Sequence, residues 1–299
     1  MKKIPFIILL LNAFIFANIN TVVSILPEQT FVKAIGGDKV NITVMVLPGN
    51  SPHTYEPKPA QMKNVARAQL YFAIDVEFEK VWLPKFRDLN PAMQIIDLAE
   101  GVHKRMMTEE HHEREGHDAH KAPDMHQEHE HQGEDPHIWT TPANVNIIAK
   151  NIYTALAKID PQNAAYYEKN YHTFLVLVEK TDTQIRKTLS ATPKGTKFMV
   201  FHPSWGYFAQ AYDLIQLPVE VAGKEPKPRE LIELIKEARK ENVKAIFTQP
   251  EFSDSIAQVM AKELHIKVIK VSPLAENWSE NLIKISNAIA ASASESGKK

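Results

Sequence analysis

The 299-residue chain contains no cysteine, so neither disulfide bonds nor thiolate metal sites can contribute to its structure. It also lacks a basic excess, because 35 lysines and arginines stand against 36 aspartates and glutamates. This balance argues against nucleic acid as a partner. Beyond the first residues, no apolar run reaches the ~18 residues of a membrane-spanning helix. An apolar core must therefore stabilise the fold, and a hydrophobic content of 44% is sufficient for one.

The amino terminus is the most apolar segment of the chain. It reads MKKIPFIILLLNAFIFANIN, with two lysines ahead of an apolar run from Ile4 to Ala17. A basic start, a short apolar stretch and a small residue before polar sequence are typical of a secretory signal peptide. We therefore predict that residues 1–17 are a signal peptide and that the mature chain is periplasmic. No cysteine follows the predicted cleavage site, so no lipid anchor is expected.

Two regions alternate β-branched runs with helical patterns, which predicts an α/β fold with two mainly parallel four-stranded sheets flanked by helices. The strand candidates are NINTVVSIL, VNITVMVL, AQLYFAI and MQIIDL in the first region, and TKFMVFH, IQLPVEV, KAIFTQP and IKVIKVS in the second. Between the regions, residues 162–192 contain neither proline nor glycine, and Asp160–Pro161 can begin a helix. We predict one long rigid helix at 161–192, joining an N-terminal lobe at 18–160 to a C-terminal lobe at 193–299.

Histidine is concentrated in one segment, since nine of the thirteen histidines lie between His103 and His137. Residues 103–134 carry much charge and little apolar surface, which predicts a disordered loop. Interleaved imidazoles and carboxylates offer weak, exchanging zinc sites, and a solvated loop without a role is the alternative. We predict an accessory metal-collecting loop that contains His111, His112, His117, His120, His126, His129 and His131.

Three other histidines stand in sequence that suits a binding site. His53 lies in LPGNSPHTYEPKP after a predicted strand, His202 ends the strand TKFMVFH, and His137 lies in EDPHIWTTP. Open α/β sheets bind ligands beyond the carboxyl ends of their strands, and two of these histidines fall at such ends, one in each lobe. A single histidine is more often structural than a ligand, so both interpretations stay open at this point. Asp135, two residues before His137, is either a partner that orients the ring or a loop cap.

Four motifs in order carry a family resemblance: SPHTYEPKPAQMKNVARAQLYFAIDVEFE, DPHIWTTPANVNIIAKNIYTALAKIDPQNAAYYEKN, VFHPSWGYFAQAYDL and QPEFSDSIAQVMAKELHIKVIKVSPLAENW. With the His-rich insertion, they resemble the periplasmic zinc-binding proteins of ABC importers, part of the metal-binding cluster of solute-binding proteins. The resemblance covers almost all of the mature chain. It implies two α/β lobes joined by one long helix, with Zn²⁺ carried between them to a membrane permease. By the same resemblance, the zinc ligands are His53, His137 and His202.

One motif departs from the family pattern. Many members carry Asp-Pro-Leu where this chain has Ser272, Pro273 and Leu274, and that acid can complete the coordination. The fourth ligand therefore stays open among water, Ser272, Glu251, Glu276 and a side chain of the His-rich loop. Without the acid, three imidazoles favour zinc over manganese, which prefers oxygen ligands, although copper and nickel also suit imidazole.

An enzymatic function has little support in the sequence. A catalytic zinc also uses three protein ligands, but the chain has no HExxH, no Gly-x-Ser-x-Gly and no phosphate-binding loop. Nothing in the spacing of Glu251 or Glu225 marks either as a general base. The sequence thus favours a monomeric, non-enzymatic, high-affinity zinc carrier. The alternatives are a manganese-binding homologue and a stand-alone zinc buffer or adhesion protein.

Overall fold

A computed structural model describes residues 18–107, 133–221 and 224–294. The predicted signal peptide and the seven histidines of the predicted accessory loop lie outside the described residues. Within the described ranges, no helix combines the length and the apolar character that a membrane crossing requires.

Two parallel four-stranded sheets confirm the fold class predicted from the sequence. The first sheet has the order β2-β1-β3-β4 and the second the order β6-β5-β7-β8. The strands are β1 Ile19–Val23, β2 Val40–Val44, β3 Leu70–Ala73, β4 Gln94–Asp97, β5 Lys197–Val200, β6 Ile215–Pro218, β7 Ala245–Thr248 and β8 Lys267–Lys270. Each strand lies inside the apolar, β-branched run that predicted it, because such side chains pack well on a buried parallel sheet.

Nine helices accompany the strands within the described ranges. They are α1 Leu26–Gly36, α2 Pro59–Val65, α3 Glu77–Leu89, α4 Pro142–Ile159, α5 Ala164–Leu189, α6 Gly206–Ala211, α7 Pro228–Lys240, α8 Ser255–Leu264 and α9 Trp278–Ser294. The end of α1 is set by Gly37, whose φ is +58°. A Cβ at Gly37 would lie 2.1 Å from the Tyr166 hydroxyl, so glycine is required at this turn.

The long helix predicted between the two regions is present as α5, but it is shorter than predicted. A 3-10 turn takes up Pro161–Asn163, and α5 follows with 26 residues, which is about 39 Å at ~1.5 Å per residue. It packs against α1 and α4 of the first region and against α9 of the second. The helix therefore joins the two halves by packing as well as by the chain itself.

One apolar core runs through both halves of the molecule. Phe31 of α1 meets the Trp278 ring of α9 edge to face, with ring centroids 5.5 Å apart. Val200 of β5 belongs to this core, whereas its neighbour Met199 belongs to a smaller core on the other side of the second sheet. Such alternation is the normal consequence of a strand's period of two. Because the larger core is continuous, it holds the two sheets in a fixed relation.

Candidate metal site

His53 lies in the loop between β2 and α2. Its backbone N–H donates a hydrogen bond to Ser51 Oγ at 3.2 Å. The ring Nδ1 lies 3.2 Å from Oε2 of Glu77, the first residue of α3. With 27% of its side chain exposed, His53 is the most accessible of the three candidate ligands.

His137 is held by an acid two residues before it. Its ring Nδ1 lies 2.8 Å from Asp135 Oδ1, and its backbone N–H donates to the same oxygen at 3.0 Å. Asp135 is only 1% exposed, so water does not compete for this carboxylate. The sequence offered Asp135 either as a partner that orients the His137 ring or as a loop cap. The structure shows the contact with the ring.

His202 follows β5 and is enclosed by the neighbouring strand ends. Its Nδ1 lies 2.7 Å from Oε2 of Glu220, which comes two residues after β6. Its ring stacks on Phe252, with centroids 5.0 Å apart and an interplanar angle of 26°. Gln249, just after β7, accepts from the His202 N–H at 3.4 Å and donates to its carbonyl at 3.2 Å. Parallel strands bring these loops to one edge of the second sheet.

The three rings converge and form what is called here the histidine cluster, His53, His137 and His202. Each ring contributes one ligand atom, and these atoms all lie within 4.8 Å of one another. The Nε2 atoms of His53 and His202 are 3.1 Å apart. Nitrogens of one tetrahedral zinc site lie about 3.4 Å apart, given Zn–N bonds of ~2.0–2.1 Å. The 3.1 Å pair is already closer than this, whereas ligand atoms separated by up to 4.8 Å must move together for all three rings to bind one ion.

A carboxylate next to each Nδ1 determines which nitrogen faces the ion. Carboxylates only accept hydrogen bonds, so Nδ1 of His137 and of His202 carries the proton and donates it to the neighbouring acid. Beside His53, the carboxylate lies 3.2 Å from Nδ1 and favours the same tautomer by its charge. The Nε2 lone pairs are then free for a metal, which is the usual arrangement of histidine, carboxylate and zinc. The acids are Glu77, Asp135 and Glu220. The cluster therefore has the ligand atoms and the supporting carboxylates that a cation site requires.

These contacts also shift the proton affinities of the rings. Burial lowers the pKa of His53, but the hydrogen bond and charge of Glu77 outweigh it, so the net pKa is raised. Burial raises the pKa of Glu77, and His53 reverses this and brings the Glu77 pKa down to about 2. Desolvation lowers the pKa of His202 in spite of Glu220. Glu77 thus stays ionised at any physiological pH.

The acidic and hydroxyl side chains predicted as a fourth ligand or a general base lie outside the histidine cluster. Ser272 Oγ donates to Glu251 Oε1 at 2.7 Å, so these two predicted alternatives for the fourth ligand bind each other. Glu276 is exposed and lines a separate groove formed with α1 and α5. Glu225 is exposed as well. Within the described ranges, the histidine cluster alone gathers three or more ligating residues.

The ends of the His-rich segment enter the structure beside His137. Met106 and Glu134 form an antiparallel bridge, and the Met107 N–H donates to the Gly133 carbonyl at 3.1 Å. Asp135 N–H then donates to the Arg105 carbonyl at 2.8 Å. The two ends are thus closed by backbone hydrogen bonds only a few residues from the histidine cluster.

The same bridge contacts α6 of the second half. Tyr207 Oη accepts the Arg105 N–H at 3.1 Å and donates to the Asp135 carbonyl at 3.0 Å. The Arg105 guanidinium lies 3.7 Å from Asp135 Oδ2. Gly206 leaves room for this contact, because a Cβ there would lie 1.6 Å from Arg105 Nη1 and 2.7 Å from Asp135 Oδ2. Asp135 is thereby positioned from both halves of the molecule.

Replacing Gly206 with alanine is expected to destabilise the protein by about 1–3 kcal/mol, the usual range for overpacking. The added methyl group would displace Arg105 from Asp135. Urea unfolding measures this loss, and Gly133→Ala is the matched control because nothing lies within 4 Å of its Cβ. Equal free energies of unfolding for the two variants would contradict the expectation.

Two tryptophans join the halves on the other side of His137. Trp139 Nε1 donates to the Pro273 carbonyl at 2.8 Å, and Trp278 Nε1 donates to the Trp139 carbonyl at 2.7 Å. Both indoles are at most 3% exposed. Buried hydrogen bonds of this kind are costly to break, because each leaves an unpaired polar group. They oppose a hinge motion between the halves.

We therefore expect zinc to change the radius of gyration by less than about 1 Å, against ~19 Å for a compact chain of this length. The long helix α5 and the two indole hydrogen bonds leave local loop movement as the main response. Small-angle scattering with and without zinc tests this, and a variant without residues 108–132 removes the contribution of the His-rich segment. A wide closure would show that the two halves rotate.

Sequence reasoning missed Glu77 and Glu220, the partners of His53 and His202. Glu77 lies 24 residues after its histidine and Glu220 lies 18 after, so no local spacing connects them. Asp135 was identifiable because it is only two residues from His137. Glu220 falls inside the predicted strand IQLPVEV, whereas β6 ends at Pro218 and leaves Glu220 in a loop, so no sequence signal identified it.

Comparison with known proteins agrees with this geometry. A family model for the periplasmic zinc-uptake complex component A, ZnuA, matches residues 21–292. The high-affinity zinc uptake system protein ZnuA of Bacillus subtilis (strain 168) is 29% identical over 253 residues, which is 83% of this chain and 76% of that protein. A crystal structure of ZnuA is 37% identical with a TM-score of 0.81, covering 92% of this chain and 98% of that chain. A ZnuA deletion mutant with zinc bound is 36% identical, with the same TM-score and the same coverage.

Proposed function

The chain belongs to the family of the periplasmic zinc-uptake complex component A, and we propose that it captures Zn²⁺ through the histidine cluster. It is a zinc-binding component of an ABC importer, and it passes the ion to the membrane permease. The convergence of three ring nitrogens, with a carboxylate next to each ring, is the observation that supports this assignment.

Competitive titration with zinc and manganese tests the proposal on the full mature chain. Neutral imidazoles suit zinc, whereas manganese prefers oxygen donors, so zinc is expected to displace manganese completely at equal concentrations. Manganese binding as tight as zinc binding would favour the manganese-carrier alternative. Zinc-dependent stimulation of permease ATPase activity separates a carrier from a stand-alone zinc buffer or adhesion protein.

The cellular setting follows from the same proposal. Residues 1–17 are removed as a signal peptide, and the mature chain acts in the periplasm as a monomer without catalytic activity. The lobes extend over 18–160 and 193–299, with the connecting helix between them. Mass spectrometry of the secreted protein, showing Asn18 as the first residue, tests the processing step.

The His-rich segment is proposed to be an accessory that raises the zinc concentration near the cluster. Its ends are tied within a few residues of His137, so ions held there are delivered close to the site. The seven loop histidines, from His111 to His131, offer only weak and exchanging ligation.

Removing residues 108–132 is expected to leave one tight zinc site intact. The ends are already adjacent through Met107 and Gly133, so a two-residue Asn-Gly turn can join them without strain. Calorimetric titration of the variant and the mature wild type compares the tight site and the weaker sites separately. Loss of the tight site with the segment would contradict the ligand assignment and favour a zinc buffer.

A further inference from the structure

Glu251 has a buried carboxylate oxygen, Oε2, without a hydrogen-bond partner among the described residues. The other oxygen, Oε1, accepts the Ser272 hydroxyl at 2.7 Å. A carboxylate oxygen that has lost water and gained no donor is costly, and native structures rarely tolerate it without a purpose. A cation on the side of Oε2 would remove that cost.

The loop that carries Glu251 is built around His202. Gln249, two residues earlier, hydrogen-bonds both the N–H and the carbonyl of His202. Phe252, the next residue, stacks on the His202 ring, and its own ring centroid lies 6.4 Å from that of His53. Glu251 therefore sits between two residues that both touch the histidine cluster.

The two other side chains predicted as fourth ligands, Ser272 and Glu276, are engaged or remote. Ser272 Oγ donates to Glu251 and accepts the Leu274 N–H at 3.0 Å, so its hydroxyl is already committed. Glu276 is exposed on the groove that Gln29 and Lys33 also line. Ser272 is thus placed to orient Glu251 rather than to bind an ion itself.

We propose that Glu251 is the fourth zinc ligand, binding through Oε2 while Ser272 holds Oε1. The inference rests on the histidine site proposed above and deepens it. Among the described residues, the ligating atoms within 4.8 Å of one another are those of the three histidines. Glu251 is not among them in this structure, so ligation requires its side chain to rotate toward the cluster, and monodentate ligation would leave Oε1 with Ser272.

Cobalt substitution in the full mature chain tests the identity of the fourth ligand. If water is that ligand, its proton is lost between about pH 7 and 9 and the visible Co²⁺ spectrum changes with pH. If Glu251 is the ligand, the wild-type spectrum stays constant over this range. Glu251→Gln then acquires the pH-dependent change, because water replaces the carboxylate.

Zinc affinity provides the second readout. Glu251→Gln is expected to weaken binding on the order of 100-fold, and Ser272→Ala about tenfold, since loss of an outer partner costs ~10–100-fold. Glu276→Gln is the matched control and the rival candidate, and it should change nothing. Wild-type affinity in Glu251→Gln, or a weakened Glu276→Gln, would overturn the assignment and leave the histidine site standing. A wild-type chain without tight zinc binding would overturn both proposals.

A crystal structure of the zinc-loaded chain gives the final test, with Glu251 Oε2 about 2.0–2.2 Å from the ion.

Discussion

Replacing His202 with alanine is expected to abolish tight zinc binding. His202 is the candidate ligand on the second sheet, and its Nε2 lies 3.1 Å from that of His53. Without it, the two remaining imidazoles belong to the first half of the molecule and cannot hold an ion between the halves. The loss should exceed the ~10–100-fold that removal of an outer-shell partner costs. Calorimetric zinc titration of the mature chain measures it.

His172→Ala is the control for this variant. His172 is exposed on α5 and lies outside the cluster, so its loss should leave the affinity unchanged. His202→Ala also removes the stacking contact with Phe252, and thermal unfolding shows whether the variant remains folded. A folded His202→Ala protein that binds zinc as tightly as the wild type would exclude the cluster as the site.

Acidification is expected to weaken zinc binding steeply between pH 7.5 and 5. Zinc takes neutral imidazole, so every histidine that is protonated in the free protein adds a competing proton. Glu77 raises the pKa of His53, which therefore gains its proton first as the pH falls. Burial lowers the pKa of His202, which joins the competition at lower pH. Affinity should fall by at least about tenfold by pH 5, and by up to ~10-fold per pH unit for each protonated ring.

Competition titration with a zinc-sensitive chelator across this pH range measures the effect. Glu77→Gln gives a sharper test, because removal of the carboxylate leaves burial to lower the pKa of His53. The onset of the pH dependence should then move to lower pH. The zinc affinity measured where all three imidazoles are neutral should also fall. Glu77 itself stays ionised, with its pKa at about 2, so it does not contribute to the titration. A zinc affinity that stays flat from pH 7.5 to 5 would count against imidazole ligation.

Local sequence patterns were enough to predict the strands. Each of the eight strands falls within its predicted run, because parallel strands covered by helices need short stretches rich in apolar and β-branched residues. The edge strands β4 and β8 keep polar residues only at their two ends. The limits of α5 were less accurate. Pro161 begins a 3-10 turn instead of the helix, and Leu189 ends the helix three residues before the predicted limit. Helix ends depend on which backbone groups find partners in the folded chain, and a pattern of residue types records this only weakly.

The candidate metal site, like the fold, was predicted only in part from the sequence. Sequence by itself determined the residue types available: no thiolate, two histidines at the ends of predicted strands, and a third, His137, with an acid two residues before it. Only the tertiary structure decided that His53 and His202, 149 residues apart, place their Nε2 atoms 3.1 Å from each other. It also decided that Glu77 and Glu220 occupy the Nδ1 side of these rings. The physical reason is that parallel strands collect distant loops at one edge, and the distances across that edge depend on packing between the sheets, which no local pattern records.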